Sequence, residues 1–210
     1  MSKTIGIFGG AFDPVHYGHT ESIFNLQKKI NFKKIHIIPC SIPVLKDALI
    51  AKPNERLKML EMAFKEYPDV LIDDREITKG GISYTFETLK SIKKDYPEEK
   101  HFSFIMGLDA FLNFKNWKNW TEILEMCSII ILQRPNYNLP ENLYIEFKNS
   151  ITKDVEEFLK SHGKILFTNI SFIDISSSQL REDFKSKHFN KDKIDQSVIS
   201  YIENNVLYSK

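Results

Sequence analysis

Short, nearly unbroken apolar runs alternating with amphipathic segments constrain this chain more than any other feature. "TIGIFGG", "KKIHIIP", "DVLIDD", "HFSFIMG", "SIIILQRP" and "ILFTN" are too short for helices and carry apolar residues at successive positions. Strands buried on both faces have that character. Between them stand segments of helical period. "GHTESIFNLQKKI" places Ile23, Leu26, Gln27 and Ile30 near one face, and "ERLKMLEMAFKEY", with Asn54 as its expected N-cap, does so with Leu57, Leu60, Phe64 and Tyr67. "YTFETLKSIKKDY" repeats the pattern with Phe86, Leu89 and Ile92, and "SQLREDF" and "KIDQSVISYIENNVLY" read as closing helices. Strand, helix, strand in alternation predicts an α/β fold: a Rossmann-like, doubly wound parallel sheet with ligands at the C-terminal strand ends. A length of 210 residues with 42% apolar content suits a single domain over 1–210, in which 175–210 form a small C-terminal helical part.

Charge and cysteine content exclude several classes. Lys and Arg number 29 against 28 Asp and Glu, so no general field draws the chain to nucleic acid or to an anionic membrane, and phosphate binding has to be local. No apolar run reaches the roughly 18 residues of a membrane span, and the first apolar stretch is short for a signal peptide, so a cytoplasmic location is expected. Cys40 and Cys127 lack paired spacing and are expected to be ordinary buried thiols, with no protein metal site.

The chemistry concentrates in "GGAFDPVHYGH", residues 9–19, between the first strand and the first helix. Gly9 and Gly10 allow a ligand to approach the backbone, or permit positive φ, and Pro14 fixes the turn. A helix beginning near Gly18 or His19 would aim unpaired N–H groups into the loop, a setting for an anion. The loop lacks the second glycine pair of G-x-G-x-x-G and the lysine of the P-loop, which argues against both. His16 and His19, three apart, can face one phosphate and donate to it without a permanent charge. A partial metal site and a capping pair without function are the other readings of this spacing. The long segments 40–53 and 136–150 have no assigned structure, and the first is expected to overhang the crevice.

"GGAFDPVHYGH" resembles the G-G-x-F-D-P-x-H-x-G-H signature of the nucleotidyltransferases that carry H-x-G-H. "ISSSQLRE" (Ile175 to Glu182) resembles their I-S-S-T-x-x-R. "DDREITKGGISYTFETL", "FIMGLDAFLNFKNWKNWTEIL", "ILQRP" and "SYIENNVLY" are similar to bacterial nicotinate-nucleotide adenylyltransferases. That resemblance implies transfer of the adenylyl group of ATP to nicotinic acid mononucleotide by in-line attack, with no covalent intermediate and no protein nucleophile or base.

It implies an ATP site of Gly9, Gly10, Ala11, Phe12, His16, His19, Ile175, Ser176, Ser177, Ser178 and Arg181. His16, His19 and Arg181 would be catalytic, with His19 nearest the α-phosphate and Arg181, in the first helical turn, on the departing pyrophosphate. The mononucleotide would meet Lys46 through its phosphate, Asp109 through its ribose, and Trp117 through its pyridine ring. Backbone N–H groups near Thr85 and Lys118 would receive its carboxylate. Arg134 is balanced between a phosphate contact and a solvated strand end. Mg2+ would arrive on ATP, and nucleic acid and membrane are not expected partners.

The chain departs from the family pattern in carrying Ala11 for Thr, "PVLK" (Pro43 to Lys46) for P-P-H-[KR], Ser178 for Thr and Leu180 for Ile. Phosphopantetheine adenylyltransferase, cytidylyltransferases of the same superfamily, and a nucleotide-binding regulator without turnover are the alternatives.

Overall fold

A computed structural model describes residues 3–44, 49–133, 140–168, 175–186 and 190–209. The chain runs β1 (Thr4–Gly10), α1 (Tyr17–Lys29), β2 (Phe32–Pro39), α2 (Pro53–Ala63), β3 (Val70–Ile72), α3 (Arg75–Lys79), α4 (Thr85–Asp95) and β4 (Phe102–Gly107). There follow α5 (Leu108–Leu112), a 3-10 turn at Phe114–Asn116, α6 (Trp120–Met126), β5 (Ser128–Leu132), α7 (Glu141–Phe147), β6 (Ile151–Thr152) and α8 (Val155–Lys160). β7 (Ile165–Thr168), α9 (Ser177–Ser186), a 3-10 turn at Lys191–Lys193 and α10 (Gln196–Asn204) complete it.

The strands form one sheet in the order β3-β2-β1-β4-β5-β7-β6, parallel at every pairing. Both faces are covered, which explains the unbroken apolar run in β5. Ile130 and Leu132 enter a core with Ile23 and Leu26 of α1, Leu60 of α2, Phe184 of α9 and Val198 of α10. Ile129 and Ile131 point the other way, to Leu89 and Ile92 of α4, Phe111 of α5 and Ile123 of α6. Strand order reverses between β1 and β4, so a crevice opens beyond Gly10 and Gly107, where such sheets bind ligands.

Several local expectations need correction. α1 starts at Tyr17, with His16 as its N-cap. α2 is capped at Lys52 rather than Asn54, because Pro53 has its φ set for the first helical position and Glu55 accepts the Lys52 N–H at 2.6 Å. Cys127 is buried, which pushes its thiol up to about 12, but Cys40 is only half-buried because it lies just beyond the end of β2, at the crevice. The segment 136–150, unassigned from the sequence, contains α7, and β6 directly after it is the outer strand of the sheet.

Candidate active site

The loop after β1 is built around an aromatic ring. Phe12 is buried, with φ of 50°, and its ring meets Phe8 at 5.5 Å and His19 at 5.0 Å between centroids. A Cβ on Gly10 would stand 2.9 Å from Phe12 Cζ, so the close approach of that ring requires glycine. Positive φ therefore falls on Phe12 and on neither glycine of the pair. At Gly9, among the described residues, a Cβ would meet only Phe104, at an ordinary 3.6 Å, so their packing does not demand glycine there.

His16 caps α1, and its backbone N–H donates to His19 Nδ1 at 3.2 Å. With Nδ1 accepting, neutral His19 carries its proton on Nε2 and presents that atom as a donor. The two rings stack with centroids 3.8 Å apart, His16 buried and His19 half-buried. Capping and ligand contact are compatible, because the cap engages Nδ1 and a phosphate would be met through Nε2, on the opposite edge of the ring.

Asp13 is a buried strut that sequence reading missed. Its carboxylate accepts from Ile50 N–H at 2.9 Å, Ala51 N–H at 3.0 Å and the Tyr208 hydroxyl at 2.6 Å. Burial, and then the Asp13 charge, push the Tyr208 phenol far above its ordinary value. An acid inside the strand–helix loop was the available signal, and its donors lie too far along the chain for spacing to show them.

The second signature docks on the same turn. Ser177 Oγ donates to the Pro14 carbonyl at 3.0 Å, and Arg181 Nη1 donates to the Asp13 carbonyl at 2.8 Å. Arg181 Nη2 donates to Ser178 Oγ at 3.1 Å, and the side chain stays 26% exposed. Arg181 is the fifth residue of α9, so it sits in the second helical turn, not the first. Ser176 Oγ accepts from Gln179 N–H at 3.5 Å. Phe12 and Ile175 are buried, so neither presents its side chain at the surface of the crevice.

Thr85 opens α4, after Tyr84 as N-cap, and thus offers one of the N–H groups that a helix start leaves without an intrahelical partner. Lys118 reaches the same corner, with Nζ 4.6 Å from the centre of the Tyr84 ring and 4.0 Å from Glu87. Trp117 is half-buried and packs edge-on against Phe104 at 5.8 Å and Phe114 at 5.7 Å. Phe104 is also the ring facing Gly9, so one aromatic contact links the two halves of the crevice. Trp120 packs on Phe114 and Phe147. Asp109 is exposed in the first turn of α5 and folds back over Gly107, where a Cβ would lie 2.5 Å from its Oδ1. Lys46 and Arg134 lie outside the described residues.

A polar network supports this corner from behind. His36 Nδ1 and Asp73 Oδ2 are 2.7 Å apart, and Arg75 Nε donates to both Asp73 oxygens. Burial alone would raise the Asp73 carboxyl; the hydrogen bonds from His36 and Arg75 outweigh it and hold the group at about 2. Glu76 accepts from Thr88 Oγ1 in α4, and burial pushes its carboxyl up despite that bond. Among the described residues no group of three or more His, Cys, Asp or Glu could hold a metal ion, and no helix is long and apolar enough to cross a membrane.

An all-parallel sheet with a glycine-histidine loop at its point of reversal, docked against a distant Ser-Arg helix, defines a nucleotidyltransferase. Residues 7–183 match the family model described as cytidylyltransferase-like. A "Probable nicotinate-nucleotide adenylyltransferase" of Pseudoalteromonas atlantica is 34% identical, covering 99% of this chain and 96% of the relative. One of the same name from Vesicomyosocius okutanii is 34% identical over 96% and 95%. In shape the chain matches Plasmodium falciparum nicotinic acid mononucleotide adenylyltransferase complexed with NaAD, with a TM-score of 0.74, 24% identity and coverage of 98% and 97%. The chain belongs to the nicotinate-nucleotide adenylyltransferase branch of the cytidylyltransferase-like family, and it is an enzyme of NAD biosynthesis.

Proposed function

We propose that residues 1–210 act as one domain that joins ATP to nicotinic acid mononucleotide, releasing pyrophosphate and forming nicotinic acid adenine dinucleotide. The observation that carries this reading is the docking of Arg181 and Ser177 onto Asp13 and Pro14, which brings the two distant phosphate signatures onto one turn. The attacking phosphate is already ionised on the substrate, so catalysis needs alignment and charge neutralisation rather than a base.

His19 Nε2–H donates to an oxygen of the α-phosphate, and that hydrogen bond strengthens as charge develops. Arg181 uses two of its N–H groups internally; a guanidinium has five, and the others take the oxygens of the leaving pyrophosphate. Thr85 and Lys118 receive the nicotinate carboxylate against Trp117. Donors at both points favour acid over amide, whose NH2 end brings only hydrogens.

The donors of the loop are N–H, imidazole and guanidinium groups, and the Asp13 carboxylate is committed to Ile50, Ala51 and Tyr208. Those groups suit phosphate oxygens and not a metal. A divalent ion, magnesium in our reading, is therefore carried by the triphosphate and its waters, where it offsets phosphate charge. We place the reaction in the cytoplasm, with the two nucleotides as its partners and no nucleic acid.

Pyrophosphate release with ATP and Mg2+ tests the reading, with nicotinic acid mononucleotide, nicotinamide mononucleotide and phosphopantetheine as parallel acceptors and His19→Ala as control. Fast release with the acid, lost in the control, is the expected result. Tight ATP binding without release for any acceptor would overturn it in favour of a regulator.

A further inference from the structure

Arg56 is fully buried in α2, a helix whose apolar spacing points to Leu57 and Leu60 as the inward residues. Its guanidinium lies beneath the crevice. Nη1 donates to the Ala11 carbonyl at 2.7 Å, and Nη2 donates to the carbonyls of Cys40 at 2.6 Å and Ser41 at 3.4 Å. Nε has no hydrogen-bond partner, and no carboxylate stands within ion-pair distance, among the described residues. Burying a guanidinium against carbonyls alone is costly, and an apolar side chain of similar volume would fill the space without that cost. The two bonded ends show what the charge is kept for.

Ala11 belongs to the loop that holds the phosphate signature. Cys40 and Ser41 begin the segment that docks on residues 82–83: Ile42 bridges Ile82, Ser83 N–H donates to the Ile42 carbonyl at 3.0 Å, and Ser41 N–H donates to Ser83 Oγ at 2.9 Å. Two residues further on, Thr85 opens α4. A continuous set of bonds thus runs from Ala11 through Arg56 to Ser41, Ser83 and the mononucleotide corner.

We propose that Arg56 is a positioning residue that sets the spacing between the ATP loop and the mononucleotide pocket. The proposal rests on the adenylyl-transfer reading above. In-line attack needs the phosphate oxygen about 3–3.5 Å from phosphorus and aligned with the leaving group, and a misplacement of about 1 Å can cost roughly 10²-fold. The rigid fork of arginine reaches two carbonyls at once; a lysine ammonium on a single stem keeps the charge and loses the span. Loss of Arg56 is therefore expected to fall on kcat, with each substrate still binding alone.

The test compares wild type, Arg56→Lys and Arg56→Met by pyrophosphate release, by calorimetric binding of ATP and of nicotinic acid mononucleotide separately, and by thermal melting. Ser83→Ala breaks the same path at a half-buried link outside the core and reports on it if the core variants do not fold. Expected are a drop in kcat of about 10- to 100-fold in Lys and Met alike, a smaller drop of the same kind in Ser83→Ala, and dissociation constants within about threefold of wild type. Wild-type turnover in Arg56→Lys, or losses of affinity that track melting temperature while kcat holds, would overturn the proposal. So would unchanged kcat in Ser83→Ala if both core variants fail to fold. A wild-type protein inactive with every acceptor would instead sink the adenylyl-transfer reading itself.

Discussion

The bond from His16 N–H to His19 Nδ1 orients a ring and selects its tautomer in one contact; in the proposed reaction this prepares the Nε2 edge before ATP arrives. His19→Ala is expected to lower kcat by about 10²–10³-fold with little change in KM for the mononucleotide, checked by initial rates with ATP saturating. Tyr208 acts at one remove. Its hydroxyl is one of three donors to the Asp13 carboxylate, while its ring packs against Phe184 at a centroid distance of 6.2 Å. Tyr208→Phe keeps the ring and removes the donor, so stability is expected to fall by about 1–2 kcal/mol, with a higher KM for ATP than for the mononucleotide. Denaturant unfolding and two-substrate kinetics read the two effects separately.

At the scale of elements, the connection from β3 through α3 to α4 is held by charge more than by apolar contact, since no residue of α3 is fully buried. Asp73 is held at about 2 against an ordinary 3.8. Because the folded value is the lower one, the stabilisation is complete above about pH 4 and is lost as pH falls from there toward 2. Unfolding at pH 5 and pH 2.5 is expected to differ by up to about 2 kcal/mol more in wild type than in Asp73→Asn.

The same elements explain what the sequence could report. α1 was legible because Ile23, Leu26 and Ile30 obey helical spacing and are buried in the structure. The inward face of α2 was only partly legible, since one of its fully buried residues, beside Met59 and Leu60, is the charged Arg56, and residue type argues against burying it. Both signatures could be quoted from the sequence, and their order in the chain with them. Their docking could not, because Arg181 and Ser177 bind backbone carbonyls, which every residue carries and no side-chain pattern reports. β6 and α8 were too short to show a period, having two and six residues.

Over the whole molecule, the chain returns to where it began: residues 190–209 supply Ile194, Val198, Ile199, Ile202 and Tyr208 to the core that Phe8 and Ile23 also enter. Burying such side chains is worth about 1.5–3 kcal/mol each, and five of them together match the 5–15 kcal/mol by which a domain is stable. A chain ending at Ser186 is expected to show no cooperative melting transition by circular dichroism. The sheet is long in the middle and short at its margins, with three residues in β3 and two in β6. Such margins expose too little backbone to template a neighbour's strand, so the native protein resists edge-to-edge aggregation. Heated samples should then precipitate only as fast as molecules unfold, and ATP, by slowing unfolding, should act as a solubilising agent.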